Sequence, residues 1–159
     1  MGEVDGAWHV GCAAPRTRRV RAAHFVADDP RAEHDRERYV LGGLTALHLL
    51  QGEDHILVSR EVGDVLARCC PDRLELHPAV VLDAPSGKHL DGYRELRPHE
   101  KITRADILRL KPWNARVWRY GGGHLFVSRP VIQAIQDERI LGLHFLPGLS
   151  GFFSRAAAG

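Results

Sequence analysis

The chain has 159 residues, of which 44% are hydrophobic and 26% charged, and a net charge of +2 with its ten histidines neutral. That length supports one core without disulfide or metal staples, and no apolar run reaches the roughly 18 to 20 residues that a membrane-spanning helix needs. Charge so near balance argues against a general nucleic-acid binder and against an acidic mimic of nucleic acid, while imidazoles titrating near pH ~6.5 make the chain more basic on mild acidification.

The opening Met1-Gly2-Glu3-Val4-Asp5 is acidic and mixed, without the basic start and apolar stretch of a secretory signal, so a cytosolic protein with reduced thiols is expected. Cys12 stands alone, and a ring closed between the neighbours Cys69 and Cys70 is strained, which fits three free thiols. Residues 1–50 read as a polar, variable segment. A basic stretch (Arg16, Arg18, Arg19, Arg21) precedes an acidic one (Asp28, Asp29, Glu33, Asp35, Glu37), and residues 20–26 alone look like a strand. Residues 39–50 are apolar but interrupted at Gly42-Gly43; Leu44, Leu47 and His48 share a helical face, so both strand and short helix stay open.

Residues 55–62, His-Ile-Leu-Val-Ser-Arg-Glu-Val, predict a buried strand running into a helix capped by Ser59, with Glu61 in the first turn where the helix dipole favours a negative charge. Val62, Val65, Leu66 and Cys69 follow at i, i+3, i+4 and i+7, one apolar stripe, and Pro71-Asp72 ends the helix. Leu74 and Leu76 then alternate with Glu75 and His77 as in a half-buried strand, and residues 79–82 continue apolar past Pro78. The same grammar returns at residues 124–131, offset by 69 and in register through Pro147. His55/His124, Val58/Val127, Ser59/Ser128, Arg60/Arg129, Val62/Val131, Leu74/Leu143 and Pro78/Pro147 are identical pairs. A duplication and two strand-helix-strand units obeying the same rules both explain it. Pro130 falls in the first helical turn, where a proline loses no hydrogen bond.

Between the echoes, residues 83–87 are turn-rich, and Thr103-Arg104-Ala105-Asp106 is a capping-box variant that opens a short helix ended by Pro112. Residues 116–120 and 124–127 predict a hairpin across Gly121-Gly122-Gly123. The Ala156-Ala157-Ala158-Gly159 tail reads either as a cloning remnant or as a frayed end.

Chemical motifs are sparse. Gly87-Lys88 has Leu82 where a phosphate loop needs glycine and His89 where it needs a hydroxyl, and the triple glycine sits in a hairpin rather than between a strand and a helix. His9 and Cys12 have a zinc-ligand spacing with no second pair to complete four ligands, so no metal or cofactor is expected. Ser59 and Ser128 are explained as helix caps and His55 and His124 as structural histidines at strand starts. Trp8 beside Arg16, Arg18, Arg19 and Arg21 allows phosphate contact, or simply a solvated face.

The order of motifs over residues 55–147 resembles a family of bacterial polymorphic-toxin immunity proteins, family eleven. In that family an apolar strand ending Val-Ser leads into a helix and then a strand of the type seen at Leu74-Glu75-Leu76-His77-Pro78. A tyrosine strand follows, matched by Gly92-Tyr93-Arg94-Glu95-Leu96. The second half is matched by residues 117–120, by Val127-Ser128, and by Gly142-Leu143-His144-Phe145. The resemblance implies a protein that neutralises a cognate toxin by direct binding, without catalysis. Buried aromatic or arginine anchors would supply affinity, and charges would set on-rate and specificity. Asp28, Asp29, Glu33, Asp35 and Trp113 are the candidate partner-binding residues. The expected architecture is one α+β domain over residues 1–159: a single mixed sheet, two principal helices on one face, two similar strand-helix-strand units, and a polar N-terminal segment wrapped around them. A nucleic-acid module using residues 16–21 and a histidine-dependent hydrolase are the other two readings.

Overall fold

The structure, a computed structural model, describes residues 6–12, 17–20, 37–41, 48–83, 87–90 and 92–150. Its α+β fold follows from the two apolar-strand-to-helix junctions. The first runs from β4 (Leu49–Gln51) through the antiparallel β5 (Ile56–Val58) into helix α1 (Arg60–Cys69), and then into the long strand β6 (Leu74–Asp83). The second runs from β9 (Val117–Tyr120) through β10 (His124–Val127) into α3 (Arg129–Asp137) and β11 (Leu143–Pro147). Between them lie β7 (Lys88–Leu90), β8 (Arg94–Pro98) and the short helix α2 (Arg104–Arg109). Before them come β1 (Trp8–Cys12), β2 (Thr17–Val20) and β3 (Glu37–Leu41).

The single sheet expected from sequence is two. One has the strand order β11-β1-β10-β9 and is antiparallel throughout; the other has the order β2-β3-β6-β8-β5-β4, with β7 also paired to β6 and with β3 and β6 parallel. Within both sheets the same four-stranded arrangement recurs. The hairpin's second strand and the strand after the helix are parallel, and a third strand lies antiparallel between them. In the first unit that third strand is β8, which pairs Leu57 with Glu95 and His77 with Glu95. In the second it is β1, which pairs Phe126 with His9 and Leu146 with His9. Positions 69 apart in the two units thus oppose equivalent residues of β8 and β1. Matching hydrogen bonds follow: Ser59 N–H donates to His48 O at 2.9 Å where Ser128 N–H donates to Arg116 O at 3.0 Å, and Ala79 N–H donates to Tyr93 O at 3.2 Å where Gly148 N–H donates to Ala7 O at 2.9 Å.

Packing repeats as well. The strand period of two puts Ile56 and Val58, and likewise Leu125 and Val127, on the faces covered by the helices. There they meet Val62, Val65 and Leu66 of α1, Val131 and Ile135 of α3, and the paired third-strand residues Leu96 and Val10, in one shared core. Leu57 and Phe126 point to the opposite faces. Leu57 packs with Leu50 and Tyr93, and Phe126 with Trp118 and Ala7 alongside Ile102, Ile107 and Leu149.

The N-terminal expectation needs correction. Residues 6–12 are no wrapping segment: β1 occupies the interior of the four-stranded sheet, between β10 and β11. Its signal is faint because Trp8-His9-Val10-Gly11-Cys12 contains one aliphatic residue facing the core, Val10, and a buried histidine where its counterpart strand has a buried glutamate, Glu95. The strand expected at residues 20–26 ends at Val20, and its remaining positions lie outside the described residues. The open segment 39–50 contributes strand at both ends, in β3 and β4.

Candidate functional site

Both serines precede helices, yet they act differently. Ser59 caps α1 through its side chain, accepting from Val62 N–H at 3.3 Å. Ser128 occupies the cap position of α3 without a side-chain cap bond. The reason lies in the first turn: Pro130 has no N–H to offer, and Val131 N–H is taken by the Ser128 carbonyl. Freed from capping, the buried Ser128 hydroxyl donates to Asn114 O at 2.7 Å and accepts from Arg116 N–H at 2.7 Å. It therefore ties down the segment that carries Trp113.

A second tie reinforces the first. The guanidinium of Arg116 pairs with Glu100, which also holds Arg73 at 3.0 Å, and lies over the buried Trp118 ring. On the other side α2 ends the approach: Thr103 and Asp106 complete a capping box, and the Thr103 hydroxyl holds the Asp106 carboxyl below the ordinary carboxylate range. Ile107 anchors α2 in the core. Between these fixed points Trp113 stands 88% exposed. Of the three tryptophans, Trp118 is in the core and Trp8 is half-buried beneath the Arg129 guanidinium.

Of the predicted partner-binding residues, Trp113 alone falls in the described structure. Asp28, Asp29, Glu33 and Asp35 lie outside the described residues, as do Arg16 and Arg21, while Arg18 and Arg19 belong to β2. Sequence reasoning missed Leu108, which is exposed on α2 one residue after the buried Ile107, and the exposed cations Lys101, Arg104 and Lys111 around it. A four-to-one excess of Lys and Arg over Asp and Glu in residues 101–111 was the available signal.

The histidines take specific partners. His55, 1% exposed, has Nδ1 2.7 Å from the Asp54 carboxylate. His124 Nδ1 lies 3.3 Å from Nε2 of the buried His9, which places His9 beside an imidazole. For hydrolytic chemistry the nearest arrangement is His48 Nδ1, 2.8 Å from the Ser59 hydroxyl. Among the described residues the acid beside it is Glu61, 3.6 Å from that same nitrogen. A catalytic relay needs the acid on the other ring nitrogen, which Glu61 does not supply, and Ser59 already serves as a cap. Among the described residues no three His, Cys, Asp or Glu side chains gather as a metal site would require. No described helix is long and apolar enough to cross a membrane.

The different roles of the serines predict different costs. Ser59→Ala loses a cap worth about 1 kcal/mol. Ser128→Ala removes the partner of a part-buried amide and carbonyl and costs about 2 kcal/mol, with the Trp113 segment loosened. Urea denaturation of the two variants side by side measures the difference.

Comparison with the models of known protein families finds no match to this chain. Comparison with curated proteins finds none either.

Proposed function

We propose that this chain acts by binding another protein through the segment bearing Trp113, and that its partner is the toxin domain of a bacterial polymorphic-toxin system. The observation that carries the reading is the exposure of Trp113 on a segment tied down by Ser128 and by the Arg116–Glu100 pair. Folding gains little from an indole left in water. A rigidly presented aromatic, by contrast, is the feature that dominates interface energetics, because little conformational freedom remains to be lost on docking. Lys101, Arg104 and Lys111, exposed nearby in the chain, suit the steering of an encounter.

That the partner is a toxin rests on the order of motifs over residues 55–147, which is the likeness to immunity proteins. Neutralisation of this kind needs no catalytic group, since a bound protein blocks or distorts the toxin's active surface. The test is co-purification of the tagged chain with the toxin-domain product of the adjacent gene. A stoichiometric complex that withstands moderate salt is the expected outcome. Recovery of oligonucleotides alone, with affinity falling steeply as salt rises, would replace this reading with the nucleic-acid one.

A further inference from the structure

Two exposed apolar side chains, Leu108 at 68% and Trp113 at 88%, fall in one short run, and the charges around them do not balance. Arg104 precedes Leu108 by one turn of α2, on the side of the helix away from the buried Ile107. Lys101 comes before the helix and Lys111 after it, and all three cations are exposed. The chain from Leu108 to Trp113 can span at most about 17 Å, well inside one protein–protein contact patch.

The acids of this region are already matched. Glu100 faces Arg73 and Arg116, and Asp106 is held by Arg109 at 2.7 Å. Lys101, Arg104 and Lys111 have no acidic partner among the described residues. Folding does not call for them there, because Lys101 and Arg104 flank the N-terminus of α2, where the helix dipole disfavours positive charge. The platform beneath is fixed. Ile102 N–H donates to Arg119 O at 2.9 Å, Arg119 N–H donates to Glu100 O at 3.0 Å, and Ile107 and Leu110 pack into the core.

We infer that this surface fits an acidic protein face with an apolar recess, the recess taking Leu108 and Trp113 and the acidic rim meeting Lys101, Arg104 and Lys111. The inference rests on the protein-binding reading and sharpens it by naming the chemistry of the partner's contact. An apolar centre inside a charged rim is the layout of a protein interface. A nucleic acid would satisfy the cations, but phosphate offers an exposed leucine nothing, and single strands stack successive bases on several aromatics where this surface has one. The same charges bear on how a toxin is neutralised. A cleft that binds phosphate is itself basic and would repel this surface, so the chain docks on an acidic face of the toxin and does not plug a phosphate-binding cleft.

The experiment measures association and dissociation rates of the co-purified partner on the immobilised full chain, from about 20 to about 300 mM salt. The parent association rate falls about tenfold over that range, as screening removes the attraction. Lys101→Glu, Arg104→Glu and Lys111→Glu together lower it about tenfold or more at low salt and invert the trend, so that added salt now speeds binding. Leu108→Ala instead raises the dissociation rate several-fold and leaves the salt trend unchanged. Unchanged urea midpoints show that the variants are folded. A complex whose salt trend survives the triple reversal would overturn the acidic face and leave the protein-binding reading standing, whereas absence of any complex would overturn both. Capture of a thymidine oligonucleotide by the parent chain, lost in the triple reversal, would give the surface to nucleic acid instead.

Discussion

Gly122→Ala lowers the stability of the chain by about 4 kcal/mol or more, the range reserved for substitutions with no room to relax. A Cβ added there would stand 2.8 Å from the carbonyl carbon of Glu53 and closer still to its oxygen. At Gly123 it would meet the Gly52 carbonyl in the same way, 3.0 Å from its carbon. Both obstacles are backbone, and neither side can retreat. Gln51 Nε2 donates to Gly123 O at 3.0 Å, and the Arg119 guanidinium donates to Gly122 O at 2.9 Å and to Asp54 O at 2.7 Å, so the tips of the β4–β5 and β9–β10 hairpins are clamped together. Gly121 supplies the control. It has φ +60 with open space beside it, so Gly121→Ala costs only the left-handed backbone strain of about 1 to 2 kcal/mol. Urea midpoints of the three alanine variants measure the contrast; equal losses at positions 121 and 122 would mean that the hairpin tips are not in contact.

The glycine triplet illustrates what was legible. The sequence identifies it as a hairpin turn, which it is, but the closeness of a second hairpin 70 residues away leaves no local trace. The echo between residues 55–78 and 124–147 is legible because each strand, cap and helix depends on neighbours within the segment, and the structure gives both copies equivalent strand pairing. What completes each unit is non-local. β8 follows its unit, whereas β1 precedes both, and the two strands share an apolar core residue only at Leu96 and Val10. Sequence reading therefore merged two sheets into one and left the N-terminus outside them. Ser128 shows the same limit at the level of one side chain: its cap position is local, but its partners at Asn114 and Arg116 come from the segment that leads into β9. Trp113 was legible as a candidate anchor, whereas the bonds that tie down the segment bearing it could be seen only in three dimensions.

The second large effect concerns that residue. Trp113→Ala weakens partner binding by about 2 kcal/mol or more, roughly thirtyfold in Kd, while leaving stability within about 0.5 kcal/mol of the parent chain. The separation follows from the geometry: an indole 88% exposed contributes little to the core, and Ser128 and Arg116 hold the turn without it. Calorimetric titration of the co-purified partner against both chains, with urea denaturation in parallel, checks the two numbers together. Ser128→Ala should weaken binding as well, but by loosening the turn, and so should come with the stability loss that Trp113→Ala lacks.

Growth rescue decides whether the chain neutralises a toxin: the product of the adjacent gene is expressed in a susceptible host with the parent chain, with Trp113→Ala, or with neither. If the proposal holds, the parent chain restores growth and the folded Trp113→Ala variant does so poorly at matched expression. Failure of the parent chain to rescue, or full rescue by the variant, would contradict it.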